Sequence, residues 1–128
     1  MNQQQSAEIV WVEATTLDDL WEDEILRVDV LGEPVLLVHL TGGALRAYQG
    51  NCPHQQLSLD DGDWDPDEGQ LVCSGHHWRF DLVEGVGINP AGCRLYAYPV
   101  ELDGDVVRVG VPQDGQRHYN RCREQEGT

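Results

Sequence analysis

Short apolar stretches separated by glycine, proline and aspartate run along most of this chain. Residues 35–40 form a continuous apolar run typical of a buried strand, and residues 44–48 follow across a Thr-Gly-Gly turn. Residues 94–100 and 105–111 form a second pair across an Asp-Gly turn. Because short strands joined by tight turns pair in antiparallel sheets, the pattern predicts an all-β domain.

The remaining segments complete this prediction. Residues 8–12 and 25–30 are β-prone, and Thr15 is a candidate N-cap that indicates one helical turn over 15–21. Glycine and proline are frequent at 50–77 and 84–92, and we interpret the acidic run 60–68 as a solvated loop. We therefore predict one domain over residues 8–111, with inserted loops at about 50–92 and a polar, frayed tail at 112–128.

Charge narrows the possible partners. The chain carries 8 arginines, no lysine and 23 carboxylates, for a net charge of −15. Nucleic acids and anionic membrane surfaces require a basic footprint, so neither is expected as a partner. The chain has neither an apolar run of 18 residues nor a basic, apolar leader at its start, and we expect a soluble cytoplasmic protein.

Cysteine and histidine recur together in two of the loops. Cys52 and His54 form C-x-H, and Cys73 and His76 form C-x-x-H after 18 intervening residues. Two thiolates and two imidazoles suit a tetrahedral zinc ion or a [2Fe–2S] cluster with histidines on one iron. The other two cysteines are expected to be thiols, Cys93 as a small buried apolar residue and Cys122 exposed in the tail; a disulfide between them is the alternative.

The residues around these ligands favour the iron–sulfur cluster. The stretches 50–55 and 73–80 resemble the two cluster-binding loops of Rieske proteins, and 87–90 with 98–100 resemble their proline loop and closing strand. The resemblance covers residues 8–111 and is closest to the ferredoxins of toluene and alkene (isoprene-type) monooxygenases. It implies a Rieske fold, in which an antiparallel β-sandwich base carries a small cluster-binding subdomain. It also implies a [2Fe–2S] cluster held by Cys52, His54, Cys73 and His76.

Two departures separate this chain from the respiratory Rieske proteins. The extra cysteine that those proteins carry in each loop is missing, and Trp78 and Phe80 stand where they place a serine and a tyrosine. Hydroxyl groups that donate to the cluster raise its potential by stabilising the reduced state. We therefore expect a potential at the low end of the Rieske range of about −150 to +300 mV.

The resemblance implies electron transfer without catalysis by the chain itself. The expected partners are an NADH-dependent flavin/iron–sulfur reductase and the di-iron hydroxylase of an aromatic or alkene monooxygenase. A ferredoxin of a ring-hydroxylating dioxygenase is one alternative, and a zinc-stabilised β module without redox function is the other. Outside the ligand set, we expect His39 to be structural, Trp78 to pack under the second loop, and Gln55, Gln56, His77 and Pro90 to rim the docking patch.

Overall fold

The computed structural model describes residues 9–51, 59–73, 78–89, 91–112 and 121–122, and these ranges form antiparallel strands with one short 3-10 helix at Leu59–Asp61. In chain order the strands are β1 (Ile9–Thr16), β2 (Ile25–Val30), β3 (Glu33–His39), β4 (Leu45–Gln49), β5 (Asp63–Asp65), β6 (Gln70–Val72), β7 (Arg79–Asp81), β8 (Val86–Asn89), β9 (Ala91–Arg94), β10 (Val100–Asp103), β11 (Val106–Pro112) and β12 (Arg121–Cys122). The all-β prediction is confirmed.

Two three-stranded sheets form the base of the molecule. Their strand orders are β1-β11-β10 and β2-β3-β4. The predicted hairpin β3–β4 is present, with Leu37 opposite Ala47. The predicted Asp-Gly turn at 103–104 is also present, with Leu102 opposite Val107, but the strand before it is β10 and not residues 94–100. That expectation was wrong because Arg94 ends β9 and the N–H of Tyr98 donates to Ala47 of β4. Valines 107, 109 and 111 of β11 enter one hydrophobic core together with residues of β3. The base is therefore the expected β-sandwich.

The third sheet carries the loop region. Its order is β12-β9-β8-β7-β6-β5. Leu71 and Phe80 from its middle strands, and Leu82 from the turn after β7, are buried in a second hydrophobic core. Strand β3 serves both cores, because Val35 and Leu37 belong to the first and Leu36 and Val38 to the second. A strand covered on both faces needs a continuous apolar run, which explains the pattern at 35–40.

Tyr48 joins the base to the six-stranded sheet. Its ring is 2% exposed, and its hydroxyl donates a 2.7 Å hydrogen bond to the carbonyl oxygen of Leu82. A Cβ at Gly85, where φ is +76°, would lie 2.7 Å from Cε1 of Tyr48, so only glycine allows the ring to pack this closely. The backbone of Tyr48 also forms an isolated bridge with Ala97. The Tyr48 side chain thus links the six-stranded sheet to the base.

Several local predictions were wrong. Residues 15–21 do not form a helical turn, because Thr15 and Thr16 end β1 opposite Val107 and Val106 and a hydrogen-bonded turn follows. The segments 60–68 and 84–92 are not plain loops, since they include β5 and the hairpin β8–β9. Within the expected tail, residues 121 and 122 pair with β9. In each case strand pairing outweighed the local signal, with a distant strand for β1 and β12 and with the next strand along the chain for β5 and β8.

Candidate metal centre

The two ends of the first motif loop are joined by a hydrogen bond between Gly50 and Leu59, and we call such a closed base of a loop its neck. The N–H of Leu59 donates a 2.8 Å hydrogen bond to the carbonyl oxygen of Gly50, which joins the end of β4 to the 3-10 helix. The N–H of Gly50 in turn donates to Pro34 of β3 at 2.9 Å. The predicted ligands Cys52 and His54 lie between these ends, in the range 52–58 outside the described residues. The base sheet therefore anchors the ends of their loop.

The second motif loop has a similar neck at Cys73. The N–H of Cys73 donates a 2.7 Å hydrogen bond to the carbonyl oxygen of Trp78, which returns the chain to β7. Cys73 has an unbonded thiol and is completely buried. The predicted ligand His76 lies between these two residues, in the range 74–77 outside the described residues.

The two necks lie side by side. Leu59 and Cys73 are buried in the same hydrophobic core, and Asp63 pairs with Val72, the residue before Cys73. A Cβ at Gly62 would overlap the carbonyl oxygen of Val72, so glycine is required for this approach. The fold thus starts the C-x-H loop and the C-x-x-H loop from adjacent points, although the motifs are 18 residues apart.

Of the four predicted ligands, Cys73 is the one that lies among the residues the structure describes. In the part of the chain that the structure describes, no three histidine, cysteine or acidic side chains are grouped so as to hold a metal ion. Gln55, Gln56, His77 and Pro90, predicted for the docking rim, also lie outside that part. The thiol of Cys73 is nevertheless not used in a disulfide and lies where the second loop starts, so it fits a metal–thiolate site, in which the metal itself deprotonates the thiol.

Apolar packing supports the second neck. Trp78 is partly buried against the core that contains Cys73, which confirms its predicted packing role. Phe80 is completely buried in the same core and pairs with Leu71 across β6 and β7. An apolar surround of this kind restricts solvent access to a metal site and thereby lowers the local dielectric.

The buried tyrosine hydroxyls are engaged elsewhere. Burial raises the pKa of Tyr48 to about 12, and its hydroxyl donates to Leu82. Burial, reinforced by the neighbouring Glu33 carboxylate, raises the pKa of Tyr98, whose hydroxyl lies 3.4 Å from Glu33 Oε1. Both phenols stay protonated at neutral pH and contribute to packing.

His39 and the acidic segment also have structural roles. Nδ1 of His39 lies 3.1 Å from the carbonyl oxygen of Leu20, which confirms the structural prediction for this histidine. The indole Nε1 of Trp64, inside the acidic run, donates a 2.8 Å hydrogen bond to Asp23 O. This hydrogen bond was not predicted from the sequence, although a tryptophan among carboxylates could have indicated it. It fixes β5 beside the acidic turn that precedes β2.

Cys93 differs from its predicted state. It is buried with 2% exposure, as expected, but it is disulfide-bonded and is not a free thiol. The expectation of a free thiol at Cys93 was therefore wrong. The residue opposite Cys93 in the strand pairing is Cys122.

No helix among the described residues is long and apolar enough to cross a membrane.

Residues 10–99 match the family model described as the Rieske [2Fe-2S] domain. The chain is 39% identical over 112 residues to the ferredoxin component of the alkene monooxygenase system of Xanthobacter autotrophicus, a match that covers 85% of this chain and 90% of the relative.

Solved structures agree with this similarity. The ferredoxin of carbazole 1,9a-dioxygenase from Nocardioides aromaticivorans superposes with a TM-score of 0.69 and 30% identity, over 77% of this chain and 95% of that one. A chain from the complex of reduced oxygenase and oxidised ferredoxin in carbazole 1,9a-dioxygenase gives a TM-score of 0.68 and 25% identity, over 77% and 91% of the two chains.

Proposed function

Because the chain belongs to the Rieske [2Fe–2S] family, we propose that it is the electron-carrier ferredoxin of a multicomponent aromatic or alkene monooxygenase. In this role it passes single electrons from an NADH-dependent flavin/iron–sulfur reductase to a di-iron hydroxylase. The observation that carries the proposal is the 39% identity to an alkene monooxygenase ferredoxin over most of both chains. The chain itself is an electron-transfer component and not an enzyme.

The cofactor of the family is a Rieske-type [2Fe–2S] cluster, and the described residues fit it. We propose Cys52, His54, Cys73 and His76 as its ligands, two thiolates on one iron and two imidazoles on the other. When bound, the cluster supplies the group that accepts and releases one electron. The adjacent necks at Leu59 and Cys73 support this assignment, since both loops start where a shared ligand set requires them.

Within the ligand set, histidine and cysteine have different tasks. The buried Cys73 thiolate, at the core end of its loop, anchors the cluster and balances its positive charge. An imidazole ligand has a second ring nitrogen that can face a partner, so we place electron exit at His54 or His76. The docking patch then surrounds the loop tips, with Gln55, Gln56, His77 and Pro90 at its rim.

The net charge of −15 acts at longer range. A strongly negative body attracts a partner that presents a basic face, and this raises the encounter rate more than the strength of the final fit. Higher salt should slow association, because screening acts over about 8–10 Å near physiological ionic strength.

Substitution of one histidine tests the ligand set. In His54→Ala we expect loss of the cluster or a gross change in the rhombic EPR spectrum of the reduced protein, while the matched control His77→Ala keeps iron content and spectrum. A normal spectrum with full iron content in His54→Ala would exclude His54 as a ligand. Turnover of a reconstituted di-iron hydroxylase by the wild-type protein then tests the partner assignment.

A second candidate function is ferredoxin of a ring-hydroxylating dioxygenase. The superposition with the carbazole 1,9a-dioxygenase ferredoxin at 30% identity favours it. Faster electron transfer to a dioxygenase terminal component than to a di-iron hydroxylase would select this alternative. A colourless protein that binds zinc stoichiometrically would contradict both ferredoxin assignments.

A further inference from the structure

Strand β12 pairs with the outer edge of the sheet that contains Cys73. It has two residues, with Arg121 opposite Arg94 and Cys122 opposite Cys93 of β9. Like charges placed directly opposite each other destabilise an antiparallel pair, and two residues offer few backbone hydrogen bonds. A strand this short therefore needs a further attachment to hold its position.

Cys93 offers that attachment. It is disulfide-bonded and buried, whereas Cys73 is a free thiol and cannot be its partner. Cys52 and Cys122 remain, because the chain has four cysteines. Residues directly opposite in an antiparallel pair bring their Cβ atoms to about 4.5–5.5 Å, close to the separation that a disulfide spans. The strand register therefore assigns Cys122 as the partner of Cys93.

We propose that a Cys93–Cys122 disulfide clamps the C-terminal segment onto the edge of the cluster-binding sheet. The bond closes a covalent loop from β9 through β10 and β11 to β12, and so links that sheet to the base. It also covers the edge of β9, which would otherwise offer unpaired backbone groups to other chains.

The clamp is sensitive to dithiol reductants. Reduction breaks the S–S bond, forms one thiol on each cysteine with two electrons and two protons from the dithiol, and converts the dithiol to its own disulfide. The burial of Cys93 restricts attack on its sulfur, which slows this exchange. After reduction, only the two-residue backbone pairing holds β12, so β12 separates from the edge of β9 more often. The four proposed cluster ligands take no part, so the clamp is independent of the electron-carrier assignment.

Peptide mapping of the full-length protein tests the linkage. The protein is alkylated under denaturing, non-reducing conditions and cut with trypsin, which cleaves only at arginine here because the chain has no lysine. We expect the peptide 80–94, which contains Cys93, to be joined to the peptide 122–123. Alkylated Cys93, a link to the peptide 47–79 that holds Cys52 and Cys73, or a bond between two chains would each overturn the proposal.

Hydrogen exchange tests the clamp separately. In Cys122→Ser, amides of β9 should exchange at least about tenfold faster than in wild type, while those of β6 keep their rates. The matched control Asn120→Ser changes a nearby polar residue, leaves the sulfur in place and should match wild type. Equal amide exchange rates of β9 in Cys122→Ser and in wild type would show that the disulfide does not hold the C-terminal segment on β9.

Discussion

Replacement of Tyr48 by phenylalanine tests whether one buried hydroxyl joins the base to the cluster-binding sheet. The substitution removes the 2.7 Å hydrogen bond to Leu82 O and keeps the ring against Gly85. The carbonyl of Leu82 is then left without this donor in a buried environment. Loss of one partner in such a bond costs about 1–3 kcal/mol, and we expect a loss of about 1.5 kcal/mol in the free energy of unfolding.

Urea unfolding provides the assay, with wild type and variant matched for iron content. For a urea m value of about 1–3 kcal/mol/M, the expected loss of free energy of unfolding lowers the urea concentration at the unfolding midpoint by roughly 0.5–1.5 M. Tyr98→Phe is the matched control, since its hydroxyl contact to Glu33 is 3.4 Å long, and it should lower the midpoint by much less. Equal urea midpoints for Tyr48→Phe and wild type, or a larger decrease of the midpoint in Tyr98→Phe, would show that the Tyr48 hydroxyl does not join the base to the six-stranded sheet.

Alkaline pH adds a second readout of the same residue. The folded-state pKa of Tyr48 is raised from 10.0 to about 12, so the folded protein holds this proton more tightly than the unfolded chain does. Its contribution to stability is complete below pH 10.0 and is lost as the pH rises towards 12. The free energy of unfolding of the wild-type protein should therefore decrease between pH 10 and 12. In Tyr48→Phe it should decrease less steeply, because only Tyr98 then contributes to the pH dependence. Identical slopes would contradict the assignment.

Three further predictions concern single residues. Gly85→Ala should destabilise the protein by about 2–3 kcal/mol in thermal unfolding, because φ is +76° and the new methyl group meets the Tyr48 ring. Trp64→Phe should cost about 1 kcal/mol through the lost bond to Asp23 O, and proteolysis near β5 should become faster; an unchanged cleavage rate would argue against the anchor. Phe80→Tyr should raise the reduction potential in voltammetry if its new O–H donates to the Cys73 sulfur, whereas a lowered potential would oppose this reasoning.

The sequence alone was sufficient for the all-β class, the hairpin β3–β4, the turn between β10 and β11, and the family. Each of these depends on signals close together in the chain. Continuous apolar residues at 35–40 and glycine turns encode β3–β4 and β10–β11, and the Cys-x-His and Cys-x-x-His spacings encode the ligand chemistry. Local spacing is sufficient here because turn geometry and ligand type are properties of a few adjacent residues.

Other features depend on residues far apart in the chain. Thr15 and Thr16 carry a helix-start signal, yet pairing with β11 extends β1 through them. Gly62 is one of many loop glycines until the carbonyl of Val72 packs against it.

The environment of Cys93 shows the same dependence most clearly. Composition and compartment predicted a free thiol there, whereas strand pairing places Cys122 opposite it and the residue is disulfide-bonded. Local propensities are worth a few tenths of a kcal/mol per residue, and a distant strand that supplies backbone hydrogen bonds and apolar contacts readily exceeds them. Tertiary structure therefore decided which loop necks meet, where β1 ends and what holds the last strand.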